Sequence, residues 1–367
     1  MNYKIPVYRP NLTGNEKKYV NECLDSTWIS SKGHFINLFE NQFSEYIGVA
    51  HSAAVSNGTV AIHLCLLALG IGPGDEVIVP TFTYIASVNA ITYTGAKPVF
   101  VDSLKDTWQI DPEDIKRKIT SKTKAIMAVH LFGLPCEMDS LQTICNNHGL
   151  FLIEDCAEAL GTYYKKNHVG TFGDISSFSF FGNKTITTGE GGMVVTNNPD
   201  LHDKVMRLKG QGLSKNREYW HDIVGYNYRM TNICAAIGVA QLEKVDQFLL
   251  RKREIAQMYK QAFLNSGIIF HDEFEGLHHS YWMCSVLVAN EKLRDDLREM
   301  LKRNGIETRP LFHPAHTMPI YQGFGTDFPI AEMLGKNGIT LPSFPNLKDE
   351  EVNLITKLML EHLNQNA

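Results

Sequence analysis

The sequence predicts an α/β fold: a mostly parallel central sheet with helices on both faces, followed by a smaller C-terminal α+β unit. Three observations carry this. From about residue 50, short β-branched apolar runs alternate with helix-like stretches, the pattern of a parallel sheet covered by crossover helices. Those runs are almost continuously apolar, as strands buried on both faces are. At 367 residues the chain is long enough for two domains and for a core that needs no covalent staples.

Taken in order, strands are expected at Glu76–Pro80, Lys97–Asp102, Lys124–Leu131, Leu150–Asp155, Ile175–Phe181 and Gly192–Asn197. A helix is expected at Val60–Leu69. Two more have clear start signals, Asp111-Pro112-Glu113-Asp114 and Asn198-Pro199-Asp200, where a capping side chain precedes proline at the first helical position and acids sit at the positive end of the dipole. Only about ten residues join the last two strands, fewer than a parallel crossover requires, so they should pair antiparallel. A long amphipathic stretch, Thr231 to Leu264, has Val245, Phe248, Leu249, Ile255, Met258, Tyr259 and Ala262 at helical spacing and should bridge two domains, residues 1–245 and 246–367. Beyond it, Tyr281–Ala289 reads as a strand, Glu291–Asn304 as a charged helix stopped by Gly305, and Glu350–Leu363 as a final amphipathic helix.

Composition narrows the function. Lys plus Arg is 35 against 40 Asp plus Glu, a formal net charge of −5, which leaves no basic footprint for a nucleic-acid backbone. Seven cysteines, an odd number with no C-x-x-C pair, argue against a disulfide framework and a zinc ribbon, and fit a reducing cytoplasm. The start, Met1 to Pro6, has no apolar leader, and the most apolar stretch, Val60–Ile71, is interrupted by His63 and too short to span a bilayer. The expectation is a soluble, unprocessed cytoplasmic protein without membrane or nucleic-acid partners.

The common nucleotide fingerprints fail. Gly70-Ile71-Gly72-Pro73-Gly74 is followed by Asp75 and is not G-x-G-x-x-G, and Gly182-Asn183-Lys184-Thr185 lacks the P-loop spacing. His313 and His316 form an H-x-x-H in a Pro-rich loop without further ligands at a diagnostic spacing, so no metal site is expected. Cys156, following a buried strand, reads as core.

Three other features converge. Ser56-Asn57-Gly58-Thr59 opens a helix whose free N–H groups form a ready phosphate site, although alone it reads first as an ordinary helix cap. The apolar strand at 150–153 ends in Glu154-Asp155, where ligands of open α/β sheets bind; one acid could cap the next helix, or pair with the pyridinium nitrogen of pyridoxal phosphate (PLP). Lys184 sits in the Gly-bounded connection of the antiparallel pair. A lone loop lysine is usually a solvated surface residue, but cradle, acid and lysine together match what a PLP site needs.

These segments, with Pro80-Thr81-Phe82-Thr83-Tyr84, Glu154-Asp155-Cys156-Ala157-Glu158-Ala159, Ser177-Phe178-Ser179-Phe180-Phe181-Gly182-Asn183-Lys184, Gly189-Glu190-Gly191-Gly192 and Gly225-Tyr226-Asn227-Tyr228-Arg229-Met230, resemble the DegT-type sugar-nucleotide aminotransferases, fold-type I PLP enzymes. The resemblance covers nearly the whole chain. Within that family it is similar to the branch that aminates C4 of GDP-4-keto-6-deoxy-mannose with glutamate, releasing 2-oxoglutarate, for O-antigen and lipopolysaccharide sugars. Alternatives are a dTDP- or UDP-linked ketosugar, or a PLP-dependent sugar dehydratase, although dehydratases of this family replace the lysine that stands here as Lys184.

The resemblance implies that Lys184 carries the cofactor and shuttles protons. Asp155 would hold the pyridine nitrogen, Tyr84 stack on the ring, Gly58, Thr59 and Ser179 hold the phosphate, and Glu158 lie near the phenolic oxygen, where many relatives have Gln or His. Asn227 would reach the phosphate from a neighbouring subunit, implying a homodimer or dimer of dimers with shared sites. A sugar-nucleotide enzyme needs an open groove for a diphosphate and a base, and candidate lining residues are Trp28, Ser30, Lys32, Arg309, His313 and His316. Trp28 reads equally as a core anchor, and Arg309 as a surface residue.

Overall fold

A computed structural model describes residues 3–365. Met1 and Asn2, the start of the segment expected to lack a leader, and Asn366 and Ala367, the end of the expected second domain, lie outside the described residues.

A seven-stranded sheet forms the centre, in the order His51–Val55, Gly192–Thr196, Ile175–Ser179, Phe151–Asp155, Thr123–Val129, Glu76–Pro80 and Lys97–Val101. The strands pair in parallel from Ile175–Ser179 outward to Lys97–Val101. Gly192–Thr196 runs against both its neighbours, as its short connection requires. Alternate side chains feed opposite cores: Val77, Val79, Met127 and Ile153 pack with the helix Gly58–Ala68 on one face, while Ile78, Ile126, Ala128 and Leu152 pack with the helix Met138–His148 on the other. The edge strand His51–Val55 was not expected from the sequence. It is five residues long with two alanines and polar residues at its start, so it lacks the β-branched run that marks the others.

The two proline-started helices form as expected, Pro112–Lys118 and Pro199–Lys209, with Asp111 and Asn198 accepting first-turn N–H groups. The stretch expected as one bridging helix is instead two, Asn232–Leu242 and Val245–Ala262. The break has a cause. The Glu243 carboxylate accepts from Asn15 and the Tyr19 hydroxyl, and Lys244 donates to the Thr13 carbonyl, so the junction is docked onto the N-terminal segment.

Toward the C-terminus, a second sheet has the order Ile269–Phe270, Cys284–Leu287, Gly338–Leu341 and Arg309–Pro310, antiparallel throughout. The expected strand Tyr281–Ala289 is trimmed to Cys284–Leu287. The helices Val245–Ala262, Glu291–Arg303 and Asp349–Gln365 cover this sheet through Ile255, Tyr259, Leu297, Leu301, Ile355 and Met359. No helix among the described residues is long and apolar enough to cross a membrane.

Candidate active site

The connections that leave the carboxyl ends of the parallel strands converge on one cavity of about 640 Å³. Five of them supply its wall: Asn57 to Thr59 after the edge strand, Thr83 and Tyr84 after Glu76–Pro80, Phe132 after Thr123–Val129, Glu158 after Phe151–Asp155, and Lys184 after Ile175–Ser179. The C-terminal unit closes the cavity with Trp282, Arg309 and Phe312.

At the edge strand, Asn57 caps the helix by accepting from the Val60 N–H at 3.0 Å. The side-chain cap leaves the Gly58 and Thr59 N–H groups at the dipole's positive end, with no acceptor inside their own helix. Gly58 is obligatory here. A Cβ at this position would lie 2.7 Å from the Ser179 Cβ, so the helix start and the Ser179 hydroxyl form a cradle that any larger residue would fill.

Glu154 and Asp155 diverge because neighbours on a strand face opposite ways. Glu154 is wholly buried and accepts from the Gly170, Phe172 and Gly173 N–H groups at 2.7–2.9 Å and lies 3.1 Å from His130 Nε2. Since His130 Nδ1 accepts from the Cys136 N–H, the imidazole is a neutral donor through Nε2. Burial opposes ionisation of Glu154, but these donors outweigh it and hold the carboxyl below its usual range. His130, Glu154 and Cys156 lie as close together as the ligands of a metal ion would, yet Glu154's oxygens are already filled by protein donors, which gives the cluster a structural role. Asp155 faces the cavity. Its oxygens accept from the Ser87 hydroxyl at 2.7 Å and the Ala157 N–H at 3.0 Å, while burial pushes its carboxyl up.

Lys184 reaches the same cavity. Its ammonium lies 4.1 Å over the Trp282 ring and 3.8 Å from Glu158 Oε1. Burial pushes the amine down from its ordinary value, against the opposing pull of Glu158 and Asp155. Glu158 is itself pushed up to about 7 by burial, and its other oxygen accepts from the Phe132 N–H at 2.8 Å. That N–H is aimed by a backbone at φ 57°, a conformation non-glycine residues seldom adopt, which the stacked Phe312 and Trp282 rings enclose. A buried amine with depressed basicity, a carboxylate on the cavity floor and an anion cradle at a helix start are the groups that PLP requires, so the residues present fit it.

Of the other expected site residues, Thr59, Tyr84, Ser179 and Arg309 line the cavity. His316 does not. It is buried behind the wall with Nδ1 2.7 Å from the Thr81 hydroxyl and its ring against Phe328, so it props the Thr81 loop. His313 is exposed and outside the cavity. Trp28, Ser30 and Lys32 do not line this chain's cavity: they lie on an exposed segment tied to Asn232, which donates to the Trp28 and Ser30 carbonyls. Asn227 is exposed, with its Oδ1 accepting from Arg229, and does not line this chain's cavity. Sequence reasoning missed Ser87, Phe132 and Trp282. The Gly133 and Pro135 that follow Phe132 mark a turn, but nothing local marks Ser87 or Trp282.

Comparison with known proteins points to the same cofactor. The DegT/DnrJ/EryC1/StrS aminotransferase family matches residues 10–359. The chain is 61% identical to a GDP-perosamine synthase of Escherichia coli O157:H7, covering 97% of this chain and 98% of that one. It is 53% identical to a GDP-perosamine synthase of Vibrio cholerae, over 98% and 99%. Among solved structures it is similar to a sugar aminotransferase from Streptococcus pneumoniae in its PLP form, with 31% identity, a TM-score of 0.95 and all of both chains covered. The PMP form of the same protein matches at 30% identity with a TM-score of 0.95, over 99% of this chain and 100% of that one. The architecture is that of fold-type I.

Proposed function

The chain belongs to the DegT/DnrJ/EryC1/StrS aminotransferase family, and from that membership we propose that it moves the amino group of glutamate to C4 of GDP-4-keto-6-deoxy-mannose, making GDP-perosamine for O-antigen and lipopolysaccharide. It is a PLP-dependent transaminase. The observation that carries the reading is the buried Lys184 amine held in one cavity with Asp155, Glu158 and the Gly58 cradle. The sugar and nucleotide rest on full-length identity to the two GDP-perosamine synthases.

Bound in the cavity, PLP supplies an electron sink for the carbon that gains or loses the amino group. The chain's own residues do the rest. Gly58, Thr59 and Ser179 would take the phosphate, and Tyr84 the ring face. The Asp155 carboxylate, fixed by Ser87 and Ala157, would keep a pyridine N–H protonated, which a neutral residue cannot do. Lys184, whose burial favours the neutral amine, can accept a proton at Nζ and return it to the reacting carbon. Glu158 would face the phenolic oxygen and can hold a proton near neutral pH. Arg309, exposed at the mouth, suits a phosphate or carboxylate of the substrate.

We place Asn227 in the partner's site within a homodimer. The Asn227 side chain lies outside its own cavity, and Tyr219 and Val224 on the same segment are 93% and 86% exposed, apolar surface that a second copy would cover. Seven free cysteines, six of them buried, suit a reducing cytoplasm.

The test is the PLP-loaded protein with glutamate and a panel of GDP-, dTDP- and UDP-linked 4-ketosugars, following 2-oxoglutarate release. Turnover should be confined to the GDP-linked sugar; preference for another nucleotide overturns the substrate assignment. Borohydride reduction of the loaded protein should leave the cofactor on the Lys184 peptide, and label on another lysine overturns the site.

A further inference from the structure

The turn that carries Lys184 is gripped from outside its own sheet. Within the turn, the Lys184 N–H donates to the Phe181 carbonyl at 2.9 Å. Its two outward carbonyls are then taken by side chains from elsewhere in the chain. The Trp282 indole donates to the Asn183 carbonyl at 2.8 Å, and the Tyr8 phenol donates to the Lys184 carbonyl at 2.5 Å. Tyr8 comes from 176 residues away in sequence.

Tyr8 is itself fixed. The N-terminal segment is tied to the C-terminal unit by the Lys4 and Ile5 N–H groups on the Gly305 carbonyl, by Glu307 N–H on the Ile5 carbonyl, and by Val7 N–H on the Glu307 carboxylate. Its ring packs between the main core and the core of the C-terminal unit. On its other side, the wholly buried Lys252 ammonium lies 5.3 Å from the ring centre and is anchored on the Ser343 carbonyl at 2.9 Å. Burial raises the phenol's pKa, so it remains an O–H donor across the working range.

We infer that Tyr8 is a positioning residue for Lys184: its phenol fixes the Lys184 carbonyl, and so directs the amine across the Trp282 ring toward Glu158 and Asp155. The inference rests on the assignment of Lys184 as the reacting amine. Tyr8 touches neither cavity nor substrate and acts only through the lysine's backbone. Any shift of the C-terminal unit then reaches the amine through Tyr8 and Trp282 together.

The decisive variant is Tyr8→Phe, which keeps the ring and removes the donor. Because misplacement of about 1 Å can cost a hundredfold in rate, kcat should fall roughly ten- to a hundred-fold with KM for glutamate little changed. A second readout needs no turnover. In cofactor-free protein, the pH midpoint for Lys184 acylation, followed by peptide mass spectrometry, should move up toward the ordinary lysine value of about 10.4 as the freed amine reaches water. 3-Fluorotyrosine at position 8, which keeps the shape and strengthens the donor, should restore both. Wild-type kcat and midpoint in Tyr8→Phe overturn the inference, as does an activity loss matched by lower melting temperature with the midpoint unmoved. Should Tyr8→Phe not fold, 4-fluorophenylalanine at position 8, which keeps the ring and fills most of the hydroxyl's volume without a donor, decides, and an unmoved midpoint there overturns it. Full turnover by Lys184→Ala would instead refute the lysine assignment, a result that the acylation midpoint does not depend on.

Discussion

At the scale of single residues, two adjacent acids carry opposite burdens. In Glu154→Gln the amide NH2 replaces one acceptor oxygen and faces two donors whichever way it turns, either Phe172 and Gly173 or Gly170 and His130. At about 1–3 kcal/mol for each buried donor left unpaired, unfolding stability should drop by about 2–6 kcal/mol, measured by denaturant titration. Asp155→Asn should leave stability nearly intact and lower turnover by orders of magnitude, since the amide cannot keep a pyridine nitrogen protonated. The reverse pattern would exchange the two roles. Glu158 adds a pH dependence. Its folded value of about 7 lies above the ordinary 4.5, so its contribution is fully present below about 4.5 and is lost as pH rises through about 7. The stability of cofactor-free wild type relative to Glu158→Gln should therefore fall across that window, and a flat difference in melting temperature would show Glu158 ionised throughout. Glu154 and Asp155 were visible in the sequence at the end of the strand; their division of labour comes from strand alternation and the Gly170–Gly173 loop. The Phe132 N–H that holds Glu158 was not visible, because a positive φ at phenylalanine leaves no compositional mark.

At the scale of elements, chemistry is set by the connection that leaves each strand. The edge strand His51–Val55 matters most here, because it delivers Asn57 and Gly58 to the sheet's carboxyl end beside Ser179. In Gly58→Ala the new Cβ meets the Ser179 side chain and, at 3.3 Å, its backbone, so the cradle must open. Losing one hydrogen bond to a charged phosphate costs about 1.5–3 kcal/mol, and PLP affinity should fall roughly ten- to a hundred-fold by spectroscopic titration. Gly72→Ala, whose Cβ would find its nearest neighbour at 3.8 Å, is the control and should bind PLP as the wild type does. The parallel strands were legible because both their faces are buried, and the proline-started helices because their caps are local. The edge strand escaped because its burial comes from partners distant in sequence, Glu40 and Gly192 among them. The break at Glu243 and Lys244 escaped for the same reason: Asn15, Tyr19 and Thr13 impose it, not the apolar period, which runs through.

At the scale of the whole molecule, a single chain supplies the lysine, the acid and the cradle, but leaves Asn227 outside its cavity beside an exposed apolar segment. In the proposed shared-site dimer each site would combine Lys184 of one subunit with Asn227 of the other. Removing the Asn227 amide loses one hydrogen bond to phosphate, about 1.5–3 kcal/mol, so PLP affinity should fall by roughly ten- to a hundred-fold. Mixing Lys184→Ala with Asn227→Ala subunits then separates the arrangements. In a heterodimer, the site built on the intact Lys184 receives its Asn227 from the Lys184→Ala subunit and is wholly wild type, while the other site carries both changes. At limiting PLP the mixture should exceed the activity of either parent, approaching half of the wild-type sites in each heterodimer. If Asn227 instead served its own chain, the heterodimer would hold one site without lysine and one without the amide, and no gain would appear at any PLP concentration. With subunit exchange verified by native mass spectrometry, the presence or absence of that gain decides whether the second copy completes the site.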